Sequence, residues 1–156
     1  MAGDDTVFEL CIIMDSTGSM GPWIQRARET INQIIDKLID DNKDKGNTIV
    51  RVSIIGYRDY NDRGRFMEIE FNDDIEILKK FLESFVAISM EVRPDRPEDV
   101  QGGLKLALQQ DWTEESVKRA VLICDAPGHG GNYYSQGNDN FPKGTPDMPS
   151  LKKIIQ

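Results

Sequence analysis

Three oxygen-bearing residues at alternate positions, Asp15, Thr17 and Ser19, follow the apolar run VFELCIIM at residues 7–14. A fourth, Asp125, follows a second apolar run, RAVLIC at residues 119–124. Carboxylates and hydroxyls are hard donors, suited to Mg²⁺, Ca²⁺ or Mn²⁺ rather than to zinc. A tight turn at Gly18 would aim Asp15, Thr17 and Ser19 at one point, and Asp125 joins them if the two runs are neighbouring strands. The same Asp-Ser-Thr-Gly-Ser segment also fits a turn in which Ser19 caps the helix that starts near Pro22. Asp125, at the end of a second buried run, tips the reading toward the cation.

His129 is the only histidine, so any Ser-His-Asp or Cys-His arrangement would have to be built around it. A single histidine in a Gly-rich loop reads first as a surface or loop-packing residue and second as a neighbour of the metal. Arg58-Asp59-Tyr60 follows the second strand and is expected to line the same rim. Cys11 and Cys124 each sit in an apolar run and read as two buried, reduced thiols. Neither has a second cysteine nearby in sequence, so no disulfide framework or zinc motif can be drawn. Trp23 and Trp112 read as packing residues at helix ends, and Tyr133-Tyr134 as a contact patch.

The elements that must position these residues are legible from hydrophobic period. Residues 7–14 form a strand buried on both faces, as in a parallel sheet. Ile24, Ala27, Ile31, Ile34, Ile35 and Leu38 recur at three and four and put one apolar stripe on a helix, with Pro22 in its first turn. Residues 42–47 are its polar exit. A second strand covers residues 49–57, and residues 66–71 (FMEIEF) alternate like an edge strand. Asp73 or Asp74 caps a helix that runs through Phe85, and another helix is expected over residues 95–110, with acids in its first turn. Gly102-Gly103 inside it implies close approach to the sheet. Residues 119–124 form a buried strand, and residues 126–149 a long Gly-, Asn- and Pro-rich loop. A further helix begins at Pro149, so one or two later strands are expected beyond residue 156. Strands alternating with helices imply a single α/β domain over residues 1–156, with a doubly wound, mostly parallel sheet and helices on both faces. Ligands of such sheets bind beyond the carboxyl ends of the strands, where strand order reverses.

A chain of 156 residues with 38% apolar and 29% charged residues has the composition of one soluble domain. The net charge of −8 and the lack of a basic stripe argue against nucleic acid as partner. No apolar run is long enough to insert in a membrane, and the acidic N-terminus does not read as a secretory signal, which points to the cytoplasm.

The segment MDSTGSM, after a buried strand and before an amphipathic helix, resembles the metal-ion-dependent adhesion site (MIDAS) of von Willebrand factor type A domains. The likeness extends to IIGYRDY at residues 54–60, PEDVQGGLKLAL at 97–108 and LICDAPGHG at 122–130, and is nearest to the intracellular branch associated with alpha-type protein kinases. The resemblance implies adjacent first and fourth strands. It also implies that Thr17 and Ser19 bind the metal directly, and that Asp15 and Asp125 bind it directly or through water. The family usually adds a threonine from the loop before the third main helix. That place falls here in Arg96-Pro97-Glu98-Asp99, so Glu98 is the expected replacement ligand, with Asp95 as the alternative and helix-start acids as the plainer reading of both. Related sequences carry a cysteine where this chain has Gly128, which removes any Cys-His metal pair.

These features imply a module that binds a protein partner through its metal-bearing face and is not an enzyme. The competing reading is a Mg²⁺-dependent phosphohydrolase of the haloacid dehalogenase type, with Asp15 as nucleophile. That chemistry needs a second aspartate two residues on as general acid, and position 17 is a threonine.

Overall fold

The computed structural model describes residues 6–43, 48–88 and 95–146. The first apolar run becomes β1 (Thr6–Asp15), buried from Glu9 through Asp15. β2 (Thr48–Tyr57) lies parallel on one side of it, and β4 (Val117–Ile123) lies parallel on the other. β3 (Phe66–Asn72) pairs antiparallel with β2 and forms an outer strand, as its alternating sequence implies. The order is β3-β2-β1-β4. The fold is therefore a mixed α/β arrangement around a mostly parallel sheet.

Side chains of β1 alternate between two cores, as a strand covered on both faces requires. Leu10, Ile12 and Met14 pack with Ile31 and Ile35 of α1 (Gly21–Asn42) and with Leu78 and Leu82 of α2 (Ile75–Glu83). Cys11 and Ile13 face Val100 and Ala107 of α3 (Val100–Gln109), together with Ile55 and Tyr57. Gly103 permits this second contact: a Cβ there would stand 2.7 Å from the Tyr57 ring.

Several boundaries differ from the sequence reading for identifiable reasons. α2 is capped by Asp74, which accepts the Glu76 and Ile77 N–H groups, and it ends at Glu83, leaving Phe85 to fill the core. α3 starts at Val100, later than expected, because Asp99 is its N-cap and accepts the Gly102 N–H. Glu98 instead lies in an extended segment bridged to Gly128. β4 is exposed along most of its length, and Cys124 with it, contrary to the expectation of a buried strand and thiol. β4 is the outermost strand beside β1 among the described residues, and the cores form over β1 and β2. Trp23, in the first turn of α1, is 60% exposed, whereas Trp112 packs edge-on against Phe71 as expected. Residues 44–47 of the expected polar exit and the helix expected from Pro149 lie outside the described residues.

One buried charge ties the far end of the sheet together. Glu9, fully buried in β1, pairs with Arg51 at 2.6 Å and accepts hydrogen bonds from the Thr113 N–H and from the Thr113 and Ser116 hydroxyls. Burial opposes the charged form, but these donors outweigh it and hold the carboxyl below its usual range. A lowered folded pKa supplies stability above the unfolded value of about 4.3 and loses it as pH falls through the folded value. Glu9→Ala is expected to cost about 3 kcal/mol, the scale for breaking a buried pair. Urea denaturation checks this, and Glu9→Gln should flatten the acid limb of the stability profile.

Candidate metal centre

β1 and β4 run side by side, with Met14 opposite Ile123, so Asp15 and Asp125 emerge at the same edge of the sheet. A continuous chain of oxygen contacts joins them. Asp15 Oδ1 accepts the Thr17 N–H at 2.8 Å and the Thr17 hydroxyl at 2.7 Å. Thr17 Oγ1 lies 3.2 Å from Ser19 Oγ, and the Ser19 hydroxyl donates to Asp125 Oδ1 at 2.9 Å. Asp15 and Thr17 form the buried floor of this group, while Ser19 and Asp125 form its exposed rim. Gly18–Met20 makes a short 3-10 turn without a side-chain cap, and α1 likewise starts without one. The capping reading of Ser19 therefore fails, because its hydroxyl is directed across the sheet edge to Asp125.

The electrostatics of this group favour a cation. Asp15 is fully buried, and its Oδ2 is a buried acceptor with no hydrogen-bond partner. Burial raises the Asp15 carboxyl above its usual range, against the opposing bonds from Thr17, and the charge on Asp125 adds to the rise. Tyr57, opposite Asp15 in the register, is fully buried, and burial with the Asp15 charge keeps its phenol neutral. A divalent ion would satisfy Oδ2 and screen the two carboxylates from each other, so the residues present fit such an ion.

Glu98 is carried to the same rim. The Glu98 N–H donates to Pro127 O at 2.9 Å, and Glu98 lines a cleft of about 460 Å³ with Ser19, Asp95, Arg96, Asp125, Ala126 and Asn138. Because the helix begins two residues later, Glu98 is not a first-turn acid. Asp95 borders the cleft, but its carboxylate is spent elsewhere: it accepts the Asn140 N–H at 2.6 Å and side-chain amide at 2.8 Å.

His129 is fully buried rather than at the surface, and its ring is held both by its own loop and by segments remote in sequence. Nε2 stands 2.6 Å from Asp59 Oδ1 and Nδ1 stands 2.8 Å from Asp139 Oδ1, with Asp95 at 3.8 Å. Arg58 and Asp59 are buried. Asp139 escaped the sequence reading, because Asn-Asp-Asn in a long polar loop looks like ordinary turn chemistry. The signal that could have found it is the single histidine, which a loop can bury only with acceptors for its ring.

No protein-family model matches the chain. It is 30% identical over 153 residues to the alpha-protein kinase vwkA of Dictyostelium discoideum, covering 94% of this chain and 23% of that protein. It is 26% identical over 152 residues to a putative ariadne-like RING finger protein of Acanthamoeba polyphaga mimivirus, covering 97% of this chain and 14% of that protein. The chain thus spans about a quarter or less of the curated relatives it matches. Among solved structures, the pilus adhesin SpaC from Lactobacillus rhamnosus GG, in its open conformation, aligns with a TM-score of 0.61 at 15% identity, over 80% of this chain and 15% of that one. The vWF domain of a type V pili tip protein from Porphyromonas gingivalis aligns with a TM-score of 0.61 at 20% identity, over 80% of this chain and 39% of that one. With its mostly parallel sheet and helices on both faces, the chain has a von Willebrand factor type A-like fold.

Proposed function

We propose that this chain is a protein-binding module of the adhesion or scaffold type that holds a divalent cation, most simply Mg²⁺, at Asp15, Thr17, Ser19 and Asp125, with Glu98 at the rim. The observation that carries this reading is the chain of oxygen contacts from Asp15 Oδ1 through Thr17 and Ser19 to Asp125, beside a buried Asp15 Oδ2 that has no hydrogen-bond partner. The pilus adhesin and pili tip neighbours support a binding role. The alpha-protein kinase relative supports a place as a regulatory domain beside a kinase. No helix among the described residues is long and apolar enough to cross a membrane. Free thiols at Cys11 and Cys124 fit a reducing compartment such as the cytoplasm.

A non-catalytic role fits the arrangement at position 17. Thr17 spends both its N–H and its hydroxyl on Asp15, and it offers no carboxyl group to protonate a leaving oxygen, which the phosphohydrolase reading requires. Glu98 and the net charge of −8 both weaken the cation's attraction for an acidic side chain from a partner. The cation's main work is therefore to fix the loops that present the binding face.

Melting the chain in EDTA and then in Mg²⁺ is the direct check. An ion that binds only the folded state at 100 times its Kd adds about 2.7 kcal/mol, a clear rise in Tm. Asp125→Ala and Ser19→Ala should abolish the rise, and an unchanged wild-type Tm would refute the site. Asp15→Asn should melt at or above the wild-type temperature in EDTA, since it removes a buried charge, yet gain nothing from Mg²⁺. Calorimetric titration with an acidic peptide should show weak binding with Mg²⁺ present, and tight, metal-dependent binding would contradict the loop-fixing role.

A further inference from the structure

We propose that His129, held as an imidazolium by Asp59, Asp95 and Asp139, is a positioning residue that clasps the loop after β4 onto the metal-bearing face. The clasp is read from hydrogen-bond geometry alone; its effect on the cation rests on the function proposed above.

Both ring nitrogens face carboxylate oxygens, at 2.6 Å and 2.8 Å. An ionised carboxylate only accepts, so each nitrogen must carry a hydrogen and the ring must be charged. Burial opposes the charge on Asp139, but the His129 ring and two backbone N–H groups hold that carboxyl below its usual range. Asp59 Oδ1 also accepts the Tyr60 N–H, and Asp139 accepts the Gly130 and Phe141 N–H groups. Phe141 stands edge-on to the His129 ring and to Tyr60, and the histidine has no exposed surface. Water therefore cannot replace the acids as partners.

The clasp joins three segments, two of which line the cleft. Asp59 belongs to the loop leaving β2, two residues after Tyr57. Asp95 belongs to the approach to α3, three residues before Glu98. His129 follows Asp125 by four residues, and its carbonyl accepts the Gln101 side-chain amide of α3 at 2.9 Å. A neutral imidazole would lose one of its two short bonds and leave the surrounding acids without their shared cation.

The charged groups facing the ring are Asp59, with Asp62 behind it, from the β2–β3 loop, Asp95 from the approach to α3, and Asp139 from its own loop. Burial alone would lower the His129 pKa, but the bonds to Asp59 and Asp139, with the charges of Asp59 and Asp95, raise it above the usual value. A raised folded pKa means the clasp contributes fully below about pH 6.5 and is lost as pH rises through the folded value. Asp95, His129 and Asp139 also present ligand atoms within 4.8 Å of one another, so a cation could compete for the Nδ1 proton. The proton is favoured because Asp139 already receives two backbone N–H groups and Asp95 receives both donors of Asn140.

With one histidine in the chain, ¹⁵N NMR of the imidazole in EDTA reports on the clasp without ambiguity. The expected result is a midpoint above the usual histidine value, two protonated ring nitrogens below that midpoint, and slow exchange of the Gly130 and Phe141 amides. Asp59→Asn, which keeps the shape and removes a charge, should lower the midpoint by about one unit, a tenfold change in proton affinity. Above that new midpoint the variant should exchange both amides faster and need about tenfold more Mg²⁺ for half-saturation; below it, wild-type behaviour should return. His129→Gln should show the same losses at every pH. A midpoint at or below the usual histidine value, a ring shift produced only by added Zn²⁺, or an Asp59→Asn variant with unaltered exchange and Mg²⁺ response would each overturn the proposal. A wild-type chain with the imidazolium and protected amides but no Mg²⁺ response would sink the cation reading and leave the clasp supported.

Discussion

The buried carboxylate of Asp15 is the constraint on which the rest of the structure depends. It ends the central strand at a place with no access to water, and only one of its oxygens finds donors. A carboxyl so placed either keeps its proton or takes a counter-ion. The Thr17 bonds relieve part of that tension, and Asp125 adds to it. Asp125 brings a second negative charge, and Tyr57 beneath is a buried neutral phenol. The hydroxyls of Thr17 and Ser19 bridge the two acids, and oxygens arranged in this way suit a small hard ion better than a protein side chain.

The fold creates this tension and makes it tolerable. Parallel strands joined by helical crossovers end on one edge of the sheet, which places residues 110 positions apart side by side. Two separate cores hold β1 rigid from both faces, so the group at its tip does not relax by moving its backbone. At the opposite end the Glu9 cluster shows how the same sheet treats a buried acid when donors are available: four groups converge, and the carboxyl is held charged. The contrast between Glu9, surrounded by donors, and Asp15, left short of them, separates a structural acid from one that awaits a ligand.

Much of this was legible in the sequence, and the gaps have physical causes. The central strand and the stripe on α1 follow from apolar runs, which are strong signals, whereas the adjacency of the strands bearing Asp15 and Asp125 was left conditional by those runs and came from the family resemblance. The glycine pair in α3 was read as a close approach to the sheet, and Gly103 does lie against Tyr57. The start of α3 was misplaced because Asp99 as a cap and Glu98 as a first-turn acid look alike in sequence, and only the bridge to Gly128 tells them apart. The exposure of β4 and Cys124 was missed because an apolar run records what a strand can bury, not what covers it. The ring of acids around His129 was missed for a different reason: its members, at 59, 95, 129 and 139, are joined by loops that carry no period.

The central claim is that a cation belongs between Asp15 and Asp125. A crystal of the chain grown with Mn²⁺, read by anomalous scattering, addresses it most directly. The expected result is one strong peak at about 2.2 Å from the Thr17 and Ser19 hydroxyl oxygens, with the Asp15 and Asp125 carboxylates turned toward it. A map with no peak there, or with its only peak among Asp95, His129 and Asp139, would contradict it.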